Sequence, residues 1–147
     1  MGKPNTPYCG CDVFVVNSEN KVLLIRRTDN NMWALPGGCQ NLDETPKDCA
    51  IRECFEETGL HVQITDLLGV WSSKCYEYIN YPWKENMFTH IVYKAVVSGG
   101  KETISSESNE IGWFMYDRLP ALSDGHEPRI HYGFNWLKTP GLPPYFE

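Results

Sequence analysis

Four charged residues, Arg52, Glu53, Glu56 and Glu57, fall within six consecutive positions, preceded by Gly37-Gly38 and Glu44 and followed by Gly59. An α-helix turns about 100° per residue, so relative to Glu53 the side chain of Glu56 lies near about −60° and that of Glu57 near about +40°. The three carboxylates therefore share one face. Ala50, Ile51, Cys54, Phe55 and Thr58 fill much of the remaining circumference, which leaves the other side free to face a core. Carboxylates at i,i+3 and i,i+4 repel at a cost of about 0.2–0.5 kcal/mol per pair, and each raises the pKa of its neighbours. A divalent cation removes both penalties. Mg²⁺ or Mn²⁺ takes hard oxygen ligands: a few carboxylates, with waters and phosphate oxygens completing the set. A Gly-Gly turn lets a backbone carbonyl approach closely where a side chain would obstruct it. The plainer alternative is a solvated acidic helix face, the usual meaning of a charge run. Pro36-Gly37-Gly38 and Glu44 at fixed offsets favour the metal site.

Gly38, Glu44, Arg52-Glu53, Glu56-Glu57, Gly59 and Leu60 match G-x5-E-x7-R-E-U-x-E-E-x-G-U, with U an aliphatic residue. On these residues the chain resembles the Nudix hydrolases. Cys54 stands at a usually aliphatic position, and Asn41 stands where many members carry an acid; Trp33 to Gly38 is typical of the family's loop. A weaker likeness runs over the whole chain, through Arg26-Arg27, Glu107 to Trp113, and Leu119-Pro120. The resemblance implies an α/β fold, an α/β/α sandwich with a mixed β-sheet and the box as loop–helix–loop, over residues 1–147 as a single domain. It also implies metal-dependent hydrolysis of the diphosphate linkage in a nucleoside diphosphate derivative, either ADP-ribose-like, a nucleotide sugar or a dinucleoside polyphosphate. A nucleoside monophosphate and a phosphorylated product would be released. MutT-like cleavage of nucleoside triphosphates and a non-catalytic nucleotide-sensing module are the alternatives, and an acidic calcium-binding or interaction helix is a third.

The same resemblance assigns roles. Glu56 and Glu57 are the principal ligands of Mg²⁺ or Mn²⁺, Glu53 is a third ligand or an orienter, and Gly38 offers its carbonyl. Arg52 is expected to pair with a carboxylate and hold the cluster's geometry rather than clamp phosphate. Glu44 partners Arg52 or braces the loop, with Gly37 and Gly59 as structural supports. The general base is expected from Glu107 or Glu110, both also candidate metal ligands. Arg27 is a candidate phosphate contact, while Arg26 alternates to the opposite face. Trp33 and Tyr76 are candidates for stacking on a base. His90, His126 and His131 show no partner in the sequence and read as ordinary structural histidines.

The elements that must position these groups are legible in outline. Residues 9–17 and 21–27 read as a β-hairpin around Asn17-Ser18-Glu19-Asn20, and residues 28–44 read as loop. Thr45-Pro46 opens a helix by capping its N-terminus, and Gly59 closes it. Strands are expected over about 61–70, 70–79, 87–98 and 111–116, with a turn at 98–101 and a second helix over about 127–138. Residues 139–147 form a Pro-rich tail. The tail and residues 76–88 are open to two readings, a lid or a homodimer interface.

The 147 residues carry a net charge of −6, 41% hydrophobic and 13% aromatic residues. That composition suits a folded globule and argues against a chain that coats nucleic acid. No apolar run is long enough for a signal peptide or a membrane span, so a cytoplasmic protein acting on a small molecule is expected. Six cysteines occur without Cys-x-x-Cys pairs or zinc-ligand spacing, which favours reduced structural thiols. Cys9 and Cys11 should share one face of their strand.

Overall fold

Side chains alternate across β1 (Tyr8–Val15), and the two faces go to different cores. Cys11, Val13 and Val15 face one cluster, with Leu23, Cys49, Ala50, Cys54, Val62 and Ala95. Phe14 faces the other, with Leu24, Leu68, Trp71, Val92, Ile130 and Phe134. This period of two, with apolar residues on both sides, is the signature of a strand covered on both faces. The computed structural model describes residues 6–73 and 87–147.

The remaining elements are β2 (Val22–Arg27), β3 (Trp33–Ala34), β4 (Gly37–Cys39), α1 (Pro46–Thr58), β5 (Leu60–Ser72), β6 (Phe88–Gly100), β7 (Ser108–Phe114), a 3₁₀ turn at Tyr116–Arg118 and α2 (His126–Lys138). One sheet runs β4-β1-β6-β5 and the second β3-β2-β7. β1 is parallel to β6 and antiparallel to β4, so the first sheet is mixed. α1 lies over one core and α2 over the other, which gives the expected α/β/α layering. In α2, Gly133 lets the helix approach Phe14 closely; a Cβ there would lie 2.5 Å from the ring.

Several local expectations are corrected. β1 and β2 are not a ladder-paired hairpin: they belong to separate sheets and touch through one bridge, Val16 to Val22. β1 takes its partners from β4 and β6 because both of its faces and both of its edges are needed in the interior. The segment 28–44 holds two short strands, β3 and β4, rather than loop alone. The strands expected at 61–70 and 70–79 are continuous through Ser72, since three register shifts against β6 absorb the irregular pattern. The rest of the second lies outside the described residues. β6 runs through Gly100, whose φ of 85° closes the strand opposite Leu60. β7 begins at Ser108, three residues earlier than expected. The capped helix conforms: the Thr45 Oγ accepts the Asp48 N–H at 3.1 Å, and Gly59 has φ 75° with its N–H bonded to the Phe55 carbonyl at 2.8 Å. The Cys9 and Cys11 sulfurs lie 3.9 Å apart on one face, and Cys9, Cys11, Cys39, Cys49 and Cys54 are free thiols.

Candidate active site

α1 and β4 bring Glu53 and Glu57, but not Glu56, to the lining of a cleft of about 370 Å³ that is also formed by residues of β1, β6, the end of β2 and the start of α2. Glu57 is the most deeply placed acid, with 3% of its surface exposed. One of its oxygens accepts the Gly37 N–H at 2.8 Å. Burial outweighs that bond and the nearby Arg27 cation, and Glu53 and Glu107 add like charge, so the Glu57 pKa stands well above the usual carboxylate range. The Glu53 carboxyl is likewise raised by burial, against the pull of Arg52. A Cβ on Gly38 would collide with the Glu53 carboxylate, and one on Gly37 with Asp12 and the β1 main chain. Glycine at 37 is thus a packing requirement against the β1 main chain, and glycine at 38 leaves the Glu53 carboxylate its place.

Arg52 organises the exposed side of the cluster. Its Nε and Nη2 grip both oxygens of Glu44 at 3.0 and 2.7 Å, and its Nη1 reaches Glu53 at 2.9 Å and Glu56 at 3.1 Å. The hydrogen bonds from Arg52, with the Asn41 N–H, hold Glu44 at a pKa of about 2. Glu44 also accepts the Asn41 N–H at 2.8 Å and so ties the loop to the helix. Glu56 is largely exposed.

Glu107 also lines the cleft. Its carbonyl accepts the Thr28 N–H at 3.2 Å, and Ser108 beside it donates from Oγ to the Glu57 carbonyl at 2.7 Å. Arg27 lines the same wall and grips Asp29 through two bonds of 2.8 and 2.5 Å. Glu110 does not join them. The regular β2–β7 register sets Glu110 opposite Arg26, before the shift that puts Ser108 opposite Arg27, and the two pair at 3.3 Å. Trp33 packs edge-on against Phe114 with centroids 4.9 Å apart and is not among the described residues lining the cleft. Tyr76 lies outside the described residues.

The structure adds to the cleft Asp12 and Arg129, which the sequence did not single out, and His90 and His126, which it left as ordinary structural histidines. Asp12 pairs with Arg129, and His90 Nδ1 lies 3.6 Å from the same Asp12 oxygen. The Arg129 and His90 interactions hold Asp12 below the usual range despite its burial. Only one signal pointed to them: Asp12 interrupts an otherwise apolar strand, where an unpartnered charge would be costly.

The donor set is hard oxygen: buried and half-buried carboxylates beside a glycine main chain. Among the described residues no three carboxylate, imidazole or thiol groups converge into a ready-made cage. Mg²⁺ needs none, since it binds through one or two carboxylates and completes its shell with water and substrate phosphate. The residues present therefore fit such an ion.

Two sheets between helices, one of them mixed, with an acidic helix packed on a glycine strand, define an α/β sandwich class. A family model of the NUDIX domain matches residues 10–136, and the chain belongs to that family. It is 37% identical over 105 residues to a MutT-like protein of Streptomyces ambofaciens, covering 71% of this chain and 62% of that one. It is 33% identical over 125 residues to an ADP-ribose pyrophosphatase of Methanocaldococcus jannaschii, covering 83% and 70%. The fold is similar to the crystal structure of an ADP-ribose pyrophosphatase from Streptococcus suis, with TM-score 0.81, 24% identity and coverage of 97% of this chain and 100% of that one. A UDP-X diphosphatase structure matches with TM-score 0.80 at 24% identity, over 93% and 66%. Among the described residues no helix is long and apolar enough to cross a membrane.

Proposed function

We propose that the chain hydrolyses the diphosphate linkage of a nucleoside diphosphate derivative in the presence of Mg²⁺ or Mn²⁺. The observation that carries this reading is the buried Glu57 carboxylate, seated on the Gly37 N–H beside Glu53, with Glu107 lining the same cleft. A charge left in that position without a partner is costly; a cation supplies the partner. Glu53, Glu56, Glu57 and the Gly38 carbonyl would hold it, with Glu107 as a further ligand. When bound, such an ion neutralises phosphate charge and makes an attacking water more acidic.

The chain's own groups do the rest. Arg52 fixes Glu53 and Glu56 relative to each other, and the Gly37 N–H fixes Glu57. Glu107, on an exposed turn lining the cleft, takes the proton of the attacking water as its oxygen bonds to phosphorus. The phosphorus–oxygen bond to the bridging oxygen then breaks, and the second phosphate leaves as an anion. Arg27 is placed to contact phosphate, sharing its guanidinium with Asp29. Positioning and charge compensation of this kind are most of what phosphoryl chemistry asks of a protein. The similarity to an ADP-ribose pyrophosphatase favours a diphosphate conjugate over a nucleoside triphosphate. The reading takes residues 1–147 as one domain.

The test is a panel of ADP-ribose, nucleotide sugars, dinucleoside polyphosphates and nucleoside triphosphates with Mg²⁺ or Mn²⁺, run on the wild type and Glu56→Gln. A nucleoside monophosphate should be released by the wild type, and turnover should fall by about 10²-fold or more in the variant. A wild-type protein that turns over no member of the panel would refute the proposal.

A further inference from the structure

Three thiols line up beside the glycine strand, on the face of the mixed sheet that α1 covers. Cys9 and Cys11 alternate along β1 onto that face, with their sulfurs 3.9 Å apart. Cys49, in the first turn of α1, packs in the same core as Cys11, and the Cys11 thiol is hydrogen-bonded to both Cys49 and Cys9. The three form a line rather than a cage. The outer end is half-buried Cys9, while Cys11 and Cys49 have no exposed surface. The inner end meets the acidic site: the Cys49 thiol donates to the Gly38 carbonyl at 3.6 Å and accepts from Arg52 Nη2 at 3.7 Å. Cys11 is itself the β1 residue that pairs with Gly38. Both buried thiols thus adjoin the residue whose carbonyl is expected to hold a cation. Cys39 pairs with Gly10 and alternates to the other face, where it lines the cleft.

Neighbouring thiols can give up two electrons by joining. Residues two apart in a strand have Cα atoms about 6.6 Å apart, at the upper end of the about 4.4–6.8 Å that a disulfide spans. A Cys9–Cys11 bond would therefore form at the limit of its reach, and a strained bond of that kind exchanges easily. Cys49 offers Cys11 a partner on another element, free of that constraint. Burial pushes the Cys9 thiol up, and the Cys49 hydrogen bond and burial do the same to Cys11. The attacking thiolate is therefore scarce at neutral pH, and oxidation answers sustained peroxide rather than running as a rapid cycle.

We propose that Cys9, Cys11 and Cys49 are an oxidation site for hydroperoxides, in which Cys9 meets the oxidant and a Cys11–Cys49 disulfide is the end product. The Cys9 sulfur bonds to the terminal oxygen of the hydroperoxide as the oxygen–oxygen bond breaks. The leaving oxygen takes the thiol's proton and departs in an alcohol, or in water where the oxidant is hydrogen peroxide. Cys9 is left as a sulfenic acid. The Cys11 sulfur then displaces the sulfenic hydroxyl, which leaves as water with the Cys11 proton. Finally the Cys49 sulfur attacks Cys11, and the Cys9 sulfur leaves and takes the Cys49 proton. In sum two thiols lose two electrons and two protons, and the hydroperoxide is reduced by the same two electrons. The new bond removes the Cys49 S–H from the Gly38 carbonyl and disturbs the Arg52 contact, so cation binding should weaken. That consequence rests on the reading of the glutamate cluster as a metal site; the cross-link does not.

The test uses the full chain carrying Cys39→Ser and Cys75→Ser, which leaves the three thiols of the line and Cys54. After exposure to hydrogen peroxide, peptide mapping by mass spectrometry should find Cys11 joined to Cys49, and dithiothreitol should restore both thiols. Added Cys9→Ser or Cys9→Ala should slow formation of the bond several-fold. Mn²⁺ binding, read from the electron paramagnetic resonance of the free ion, should weaken by about tenfold in the cross-linked protein and recover on reduction. The proposal is overturned if peroxide does not join Cys11 to Cys49, or if both Cys9 variants form the bond as fast as their parent. Cross-linked protein that binds Mn²⁺ like the reduced form would overturn the coupling of the thiols to the Gly38 carbonyl. Reduced protein that binds no Mn²⁺ yet forms the Cys11–Cys49 bond would sustain the oxidation site and remove the metal reading.

Discussion

Replacing Arg52 by lysine keeps a positive charge on α1 and deletes only the planar fork. The guanidinium makes two bonds to Glu44, at 3.0 and 2.7 Å, while its Nη1 spans Glu53 and Glu56 at 2.9 and 3.1 Å. A lysine ammonium concentrates its donors at one atom and cannot serve three carboxylates at these separations. Glu53 and Glu56 then lose their common brace and spread under mutual repulsion. Loss of a partner that orients metal-binding groups typically costs about 10–100-fold, equivalent to about 1.4–2.7 kcal/mol in the barrier. Stability should fall little, because half-exposed ion pairs contribute weakly; a Tm decrease of about 2–4 °C corresponds to about 1 kcal/mol at this size. The assay is the initial rate of hydrolysis of whichever panel substrate the wild type turns over fastest, across a Mg²⁺ titration, read as kcat and as the Mg²⁺ concentration at half-maximal rate. Both should worsen in Arg52→Lys. The sign of the pH effect follows from Glu44, whose carboxyl Arg52 holds at about 2. A depressed carboxylate keeps its bridge at all pH values above its ordinary range and loses it only as pH falls through the folded value. The deficit of the variant should therefore be constant between about pH 5 and 8. A kcat within about twofold of wild type, at saturating Mg²⁺ and at low Mg²⁺ alike, would refute the claim that fork geometry holds the cluster.

Two further outcomes follow from the buried charges. Glu57→Gln should raise the Tm of the metal-free protein at neutral pH while abolishing the stabilisation by Mn²⁺, measured by scanning calorimetry with and without the ion. Because the folded pKa of Glu57 is raised, its penalty is present above that pKa and relieved as pH falls through it toward the unfolded value, so the gain should shrink on acidification. Asp12→Asn leaves the Arg129 guanidinium buried without its counter-charge, a loss of about 3–5 kcal/mol. Urea unfolding should show that loss near neutral pH. The Asp12 pKa is lowered, so its contribution is present above the ordinary aspartate range and fades as pH drops through the folded value.

The acidic helix was the most legible part of the chain because local chemistry specifies it. Thr45, Pro46 and Gly59 mark its ends, and the carboxylate spacing puts Glu53, Glu56 and Glu57 on one side without reference to the remainder of the fold, though only Glu56 of the three is exposed. The partners of β1 were not legible, since strand pairing is settled by which faces must be covered, and β6 lies more than seventy residues downstream. Glu110 falls in the regular β2–β7 ladder opposite Arg26, whereas Glu107 lies just beyond the shift that puts Ser108 opposite Arg27; nothing in the polar run 101–110 announces where that ladder breaks. Trp33 had the right chemistry for stacking but was claimed by Phe114. Asp12, Arg129, His90 and His126 were invisible as a group because β1, β6 and α2 supply them from three distant stretches, and their charges compensate only after folding.

The segment that carries Glu107 is moored rather than loose. Lys101 and Thr103 donate their N–H groups to the carbonyls of Gly59 and Thr58 at 3.1 and 2.7 Å, and the Ser108 hydroxyl caps Glu57. The end of the acidic helix and the wall that carries Glu107 therefore move as one piece. Residues swapped at Ile104 or Ser106 change only what water meets, whereas drift at Ser108 would let the wall slip against the helix. Between the two anchorages Ser105 supplies a further tie, bonding the Ser108 hydroxyl at 3.1 Å and accepting the Glu107 N–H at 3.2 Å.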